Sequence, residues 1–272
     1  MLNYLHFAQL KIILAGVLCI ALSTLQMPVA WGWGPQGHRV AGAITWTYLS
    51  PSAREAVHAI LGDQTLAEAS TWADRMRSNP SPFWQETAGP YHYATVPPGQ
   101  TYADTGPPVR GDAVTALQLF ANTLLQDDAA LVQKQLALRF ALHIIQDLHQ
   151  PLHVGNGKDR GGTRYWIKLH GKPTNLHRIW DTEILLAAKR SDIDWMRHLH
   201  FTEEEIRAGW SADPIIWIEE SVVLRDKLYP KSALLDAEYL LTWLPEAERR
   251  LALSAVRGAA WIEKYLVPDD PG

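Results

Sequence analysis

Cysteine is nearly missing from this 272-residue chain: there is one, Cys19. It lies in an apolar leader, so the rest of the chain has no thiol to cross-link and no thiolate to use as nucleophile or ligand. Charge of one sign is scarce as well. With 25 Lys and Arg against 29 Asp and Glu the net charge is −4, which excludes a broad basic footprint gripping a duplex backbone. The Asn-X-Ser triplet at Asn79 is spoiled by Pro80, which leaves no acceptor for an N-linked glycan. Internal repeats, low-complexity tracts and domain linkers are lacking. So is an apolar run of bilayer-spanning length: "IILAGVLCIAL", residues 12–22, is too short to cross comfortably.

That run, preceded by Lys11 and followed by a short polar tail, reads as a secretory signal peptide over residues 1–32. Ala30 and Gly32 supply the small residues expected at −3 and −1 of a cut after Gly32. Cleavage makes Trp33 the first residue and leaves 240 of 272 residues; losing Lys11 takes the charge from −4 to −5. The expected destination is secreted or periplasmic, with an uncleaved anchor as the alternative. Residues 33–272 suffice for one domain with a sizeable core. An exported domain without disulfides needs another staple, and bound metal is one.

The mature sequence reads as all-α. Ser50 and Pro51 cap and open a helix that closes at Gly62, and helical periodicity also covers about 36–49, 65–77, 112–126, 130–150, 176–189, 214–228 and 232–265. Residues 78–111, rich in Pro and Gly, read as a long loop; residues 151–175 read as a loop with a short hairpin on "TRYWIKL". Long loops within a compact helical domain are usually functional.

The strongest chemical signal is "ALHIIQDLHQPLH", residues 141–153. His143 and Asp147 are four apart and share a helix face; Pro151 ends the helix and leaves His153 free to turn back toward that face. Two imidazoles and a carboxylate suit Zn²⁺. His149 is out of phase with His143 and reads as structural. "NLHRIWDTEI" repeats the pairing with His177 and Asp181. "ASTWADRMR" offers Asp74 with Arg77 three residues on, and "GPYHYATVP" offers His92 between Tyr91 and Tyr93. In "WGWGPQGHRVAG", a freed Trp33 amine and its carbonyl oxygen form a chelating pair, with His38 as third ligand and Gly34 and Gly37 leaving space for the chain end.

These motifs, in the order "WGPQGH", "STWAD", "YHY", "HxxxDxxQPLH" and "NLHxxWD", resemble those of the secreted, single-strand-specific zinc nucleases of the type I nuclease family, within the zinc phospholipase C superfamily. The resemblance covers essentially the whole mature chain. It implies a multi-helix, all-α fold with three Zn²⁺ ions in a cleft. Position by position it implies one zinc on Asp74, His92, His143 and Asp147; a second on His153, His177 and Asp181; and a third on Trp33, His38 and the shared Asp147. It further implies Arg77 as a phosphate contact and Tyr93 as a base-stacking ring.

Five neutral imidazoles and three carboxylates leave a net +3 on three Zn²⁺ ions, which suits one phosphodiester in an acidic protein. Two zincs bridged by Asp147 can hold a water as hydroxide near neutral pH. The expected activity is endonucleolytic hydrolysis of single-stranded RNA and DNA to 5′-phosphates, with 3′-nucleotidase activity on 3′-nucleotides. No membrane or obligate protein partner is expected for the mature form. The chain departs from its relatives in lacking disulfides and glycans, as in a bacterial or stripped-down version. It also has Thr95 where they often have Asp or Asn, and Gly161-Gly162-Thr163 where "GGN" is usual. The nearest rival is a zinc phospholipase C. Against it stand the five-residue gap from Trp33 to His38 and the acid Asp181, where those enzymes usually have a longer gap and Glu. A non-catalytic zinc-binding protein is the rival from another class, and it would need closed coordination spheres.

Overall fold

The computed structural model describes residues 33–267. The leader, its expected cleavage site and Cys19 lie outside the described residues. Helix α1 (Pro35–Tyr48) opens on a proline, whose missing N–H is no loss in a first turn. Helix α2 (Pro51–Leu61) does the same; the Ser50 hydroxyl accepts from the Ala53 N–H, and the helix stops at Gly62 as expected. The helix expected over 65–77 is instead two, α3 (Leu66–Ser70) and α4 (Trp72–Met76). Thr71 breaks it by donating its hydroxyl to the Glu68 carbonyl. The break frees the Ser70 carbonyl for a partner from elsewhere.

The expected loop over 78–111 is largely ordered. It holds a π-helical turn (Phe83–Thr87), a 3-10 turn (Gly89–His92), strand β1 (Ala94–Thr95) and helix α5 (Tyr102–Thr105). Its proline and glycine content masks three anchors, Trp84, Tyr91 and Tyr102, which are buried in the core. Helix α6 (Ala113–Leu125), capped by Asp112, packs against α7 (Leu131–His149). Every residue of α7 from Phe140 to His149 is buried, so each polar side chain in that stretch must find its partner inside the protein.

A 3-10 turn (Pro151–His153) follows, then β2 (Val154–Gly155), which pairs in parallel with β1, Ala94 opposite Val154 and Thr95 opposite Gly155. The expected hairpin is β3 (Trp166–Leu169) with β4 (Lys172–Asn175). His170 and Gly171 turn it with φ of 50° and 77°, as a tight two-residue hairpin requires. The helix expected over 176–189 is interrupted: α8 (Leu176–Arg178) runs into a π-helical turn (Ile179–Glu183) before α9 (Ile184–Ala187).

Helices α10 (Asp192–His198) and α11 (Glu203–Gly209) were not expected; at two turns each they carry too little periodicity to register, though Ser191 and Thr202 cap them. Helix α12 (Pro214–Leu228) matches its expected bounds. Strand β5 (Leu234–Leu235) joins β3 in parallel, so the last helix, α13 (Ala237–Leu266), begins at Ala237 under an Asp236 cap and not at 232.

The fold is all-α apart from these short strands. Helix α13 packs on both α1 and α7. One apolar cluster gathers α2, α6 and α7; a second gathers Trp33, α1, Trp180, Trp195 and the middle of α13. Among the described residues no helix is long and apolar enough to cross a membrane.

Candidate metal centre

Elements of both apolar clusters contribute to one buried group of imidazoles and carboxylates. From α7 come His143 and Asp147, from the turn beyond it His153, from α1 His38, from α4 Asp74 and from the 3-10 turn His92. Helix α8 supplies His177, and the π-helical turn supplies Asp181. All eight side chains are buried. They form three sets whose ligand atoms lie within 4.8 Å of one another: His38, His143 and Asp147; Asp74, His92 and His143; His153, His177 and Asp181.

The spacing is that of metal ligands. Asp147 Oδ2 lies 3.0 Å from His92 Nδ1 and 3.2 Å from His143 Nε2, while its Oδ1 lies 3.4 Å from His38 Nε2. Asp74 Oδ1 is 3.6 Å from His143 Nε2, and Asp181 Oδ2 is 3.3 Å from His177 Nε2. Ligands about 2.0–2.1 Å from a tetrahedral Zn²⁺ are roughly 3.3–3.4 Å from each other. The single carboxylate of Asp147 thus divides its two oxygens between two sets.

A group of this kind must satisfy its polar atoms, and here several have no hydrogen-bond partner: His38 Nε2, Asp147 Oδ1, His153 Nε2 and Asp181 Oδ2. Such atoms, buried and converging, cost free energy unless something binds them. A divalent cation fits that need. The outer nitrogens of four of the five histidines, by contrast, are engaged. His143 Nδ1 donates to the Ser70 carbonyl at 2.7 Å, the one freed by the break at Thr71. His153 Nδ1 donates to the His92 carbonyl at 2.7 Å, His177 Nδ1 to the Gly161 carbonyl at 2.6 Å, and His38 Nδ1 to Gln146 Oε1 at 2.6 Å. Each bond keeps the Nδ1 proton on the outer side, so that Nε2 is the nitrogen that faces the centre.

Electrostatics point the same way. Burial, helped by the charge on His153, pushes His177 down to about 3, and burial pushes His92 down to about 4 against the pull of Asp147. Both are neutral near pH 7, so their contacts with carboxylates are not ion pairs. His143 behaves oppositely: burial opposes its charge, but Asp147 and Asp74 outweigh burial and raise it to about 9. Burial and the charges of Asp147 and Asp74 hold Asp181 well above the usual carboxylate range. Without a cation the cluster has more carboxylate than it can keep ionised; a bound divalent cation would supply the missing positive charge.

Trp33 is seated close by. Trp33 is fully buried, and the Gly34 N–H donates to the Asp181 carbonyl at 2.6 Å. A Cβ on Gly37 would stand 2.8 Å from Trp33 Cβ, so only glycine allows this approach.

Comparison with known proteins matches this arrangement to a family. The sequence profile of S1/P1 nucleases matches residues 33–267. The chain belongs to the S1/P1 nuclease family. It is 31% identical to nuclease S1 of Aspergillus oryzae over 284 residues, covering 91% of this chain and 96% of that protein. It is 28% identical to endonuclease 2 of Arabidopsis thaliana, covering 87% and 91%. Nuclease P1 of Penicillium citrinum is 27% identical, covering 69% and 72%.

At the rim of this S1/P1 centre, Arg77 Nε meets Asp74 Oδ1 at 2.9 Å, and Tyr93, adjacent to His92, is 47% exposed. Thr95 lies two residues on, paired with Gly155. His149 is buried away from the centre: its Nδ1 donates to the Ile145 carbonyl and its Nε2 accepts from Arg257, a structural role as expected. Sequence reasoning missed three supporting residues. Gln146 bridges His38 and the Ser70 hydroxyl, and Gln150 donates to Asp181 Oδ1 at 2.6 Å. Each stands three residues after a ligand, Gln146 within α7 and Gln150 just past its end, a signal that was available. Buried Arg225 donates one nitrogen to the carbonyls of Val96, Val154 and Gly155 at 2.8–2.9 Å, tying the strand after His92 to the strand after His153. Nothing in its local sequence marks it.

Proposed function

We propose that this chain is an exported, zinc-dependent endonuclease that cuts single-stranded RNA and DNA to 5′-phosphates and removes phosphate from 3′-nucleotides. The observation that carries the proposal is the convergence of eight buried ligand residues, with partnerless atoms on His38, Asp147, His153 and Asp181 and the two oxygens of Asp147 facing different histidines. Three Zn²⁺ would be held by Asp74, His92, His143 and Asp147; by His153, His177 and Asp181; and by Trp33, His38 and Asp147. Bound there, they would supply Lewis acidity toward phosphoryl oxygens and activate a water molecule for in-line attack.

The chain's own residues do the rest. Arg77, oriented by Asp74, donates to a non-bridging phosphate oxygen and offsets the charge that builds in the transition state. The exposed ring of Tyr93 stacks an unpaired base beside the reacting phosphate. Stacked duplex bases cannot reach it, and opening them costs about 1.4 kcal/mol per step, which disfavours matched duplex. Relatives named as nucleases over nearly the full chain support this reading over a phospholipase C. A zinc-storage protein would need closed coordination spheres, whereas the set of His153, His177 and Asp181 offers only three ligands. Export and cleavage after Gly32 belong to the same proposal, since the Trp33 amine must be free to serve as a ligand.

The test is to offer zinc-loaded protein single-stranded oligonucleotide, matched duplex and phosphatidylcholine side by side. Rapid cleavage of the single strand alone is expected. Equal rates on duplex would remove the stacking explanation, and activity on the lipid alone would favour the phospholipase.

A further inference from the structure

Arg160 is one of three non-glycine residues in the described chain with positive φ, at 55°. Left-handed backbone costs a long side chain free energy and persists where the surroundings enforce it. Here they do. Asn156 Oδ1 accepts from the N–H groups of Lys158 and Asp159; Asp159 Oδ1 accepts from the Gly162 N–H, and its Oδ2 from the Tyr229 hydroxyl at 2.8 Å. The next residue, Gly161, gives its carbonyl to His177, and a Cβ there would collide with the Leu152 carbonyl. Arg160 is therefore one peptide unit, about 3.8 Å, from the backbone that holds a metal-site histidine.

The other side of the loop borders the strand that follows Tyr93. A Cβ on Gly157 would lie 3.7 Å from the Thr95 methyl, and one on Gly155 3.5 Å from the Gly161 nitrogen. Three cations stand on this loop, Lys158, Arg160 and Arg164, all exposed. The loop's one acid, Asp159, is engaged by Tyr229 and the backbone, and among the described residues no side-chain hydrogen bond or ion pair holds any of the three cations. In a chain of net charge −4, a fixed loop with three cations that no side chain holds, beside the metal centre, is a local positive patch suited to an anion.

We propose that the loop 156–164 is a rail for the phosphates flanking the scissile one, with Arg160 as its principal contact. This rests on the nuclease reading, and the rail adds affinity for a strand that a mononucleotide, with no flanking phosphate, cannot use.

The test measures binding of a fluorescent, hydrolysis-resistant phosphorothioate single strand to the zinc-loaded protein across a salt series. Each phosphate contact contributes about 0.7 to the slope of log affinity on log salt for single strands. Arg160→Gln should lower that slope by about 0.7, and Gln at 158, 160 and 164 together by about 2. Arg160→Lys should restore the slope, with zinc content and 3′-mononucleotide binding unchanged throughout. An unchanged slope overturns the rail, and so does zinc loss in Arg160→Gln, which would assign Arg160 to holding Gly161. A wild-type protein that binds the strand with the predicted slope yet cuts no unmodified strand would sink the nuclease reading and leave the rail standing.

Discussion

His143 and His149 stand six residues apart on α7, both fully buried, and each gives its Nδ1 proton to a backbone carbonyl at 2.7 Å. What differs is the environment of the other nitrogen. His143 Nε2 faces the carboxylates of Asp147 and Asp74, which raise it to about 9 against burial. His149 Nε2 faces the Arg257 guanidinium at 3.0 Å; burial first, and then Arg250 and Arg257, hold it well below the ordinary imidazole range. One face of the helix collects negative charge that only a cation settles. The other face, about 120° around the helix, is settled by protein alone, with Arg250 and Arg257 both paired to Glu220. A buried helical histidine is thus assigned to metal or to structure by what its second nitrogen meets.

The largest effect should come from Asp147→Asn, because its oxygens face two ligand sets. Single-strand cleavage should fall to background and two zincs per chain should be lost; loss of one alone would show that the carboxylate is not shared. Next is the histidine pair itself. His143→Leu should lose zinc, while His149→Leu should keep it and destabilise the fold by about 1–3 kcal/mol in denaturant titration, since Arg257 loses an acceptor. Zinc loss in both would erase the distinction between the faces.

A smaller effect is expected from Gln146→Leu, which leaves His38 Nδ1 without its acceptor and should weaken one zinc site about 10–100-fold in chelator competition. Smallest is the pH response of the structural face. Burial opposes ionisation of Glu220, but Arg257 and Arg250 overcome it and lower the carboxyl to about 2. A depressed carboxyl stabilises above its unfolded value near 4.5 and loses that contribution as pH falls toward 2. The stability gap between wild type and Glu220→Gln, measured by thermal melting, should therefore close across that window. A gap independent of pH would mean that Glu220 acts through packing.

The metal-facing side of α7 was legible in sequence because a helix turns an i, i+4 spacing into proximity, and His143–Asp147 and His177–Asp181 both use it. Asp74, His92 and His38 come from separate segments, and only the order of motifs linked them. Hidden features depended on tertiary context. The carbonyl that orients His143 exists because Thr71 splits a helix whose periodicity runs on, and Asp181 sits in a π-helical turn that periodicity cannot distinguish from regular helix. Residues 234–235 read as helix but pair with β3, a contact set by a strand more than sixty residues earlier. Arg225 was invisible because its three partners are backbone carbonyls.

The most direct test of the account is the zinc content of protein that begins at Trp33, measured by elemental analysis before and after dialysis against chelator. The account predicts three zincs per chain, removed by chelator together with activity and a large part of the thermal stability. One zinc or none in active protein, or unchanged melting in excess chelator, would contradict it.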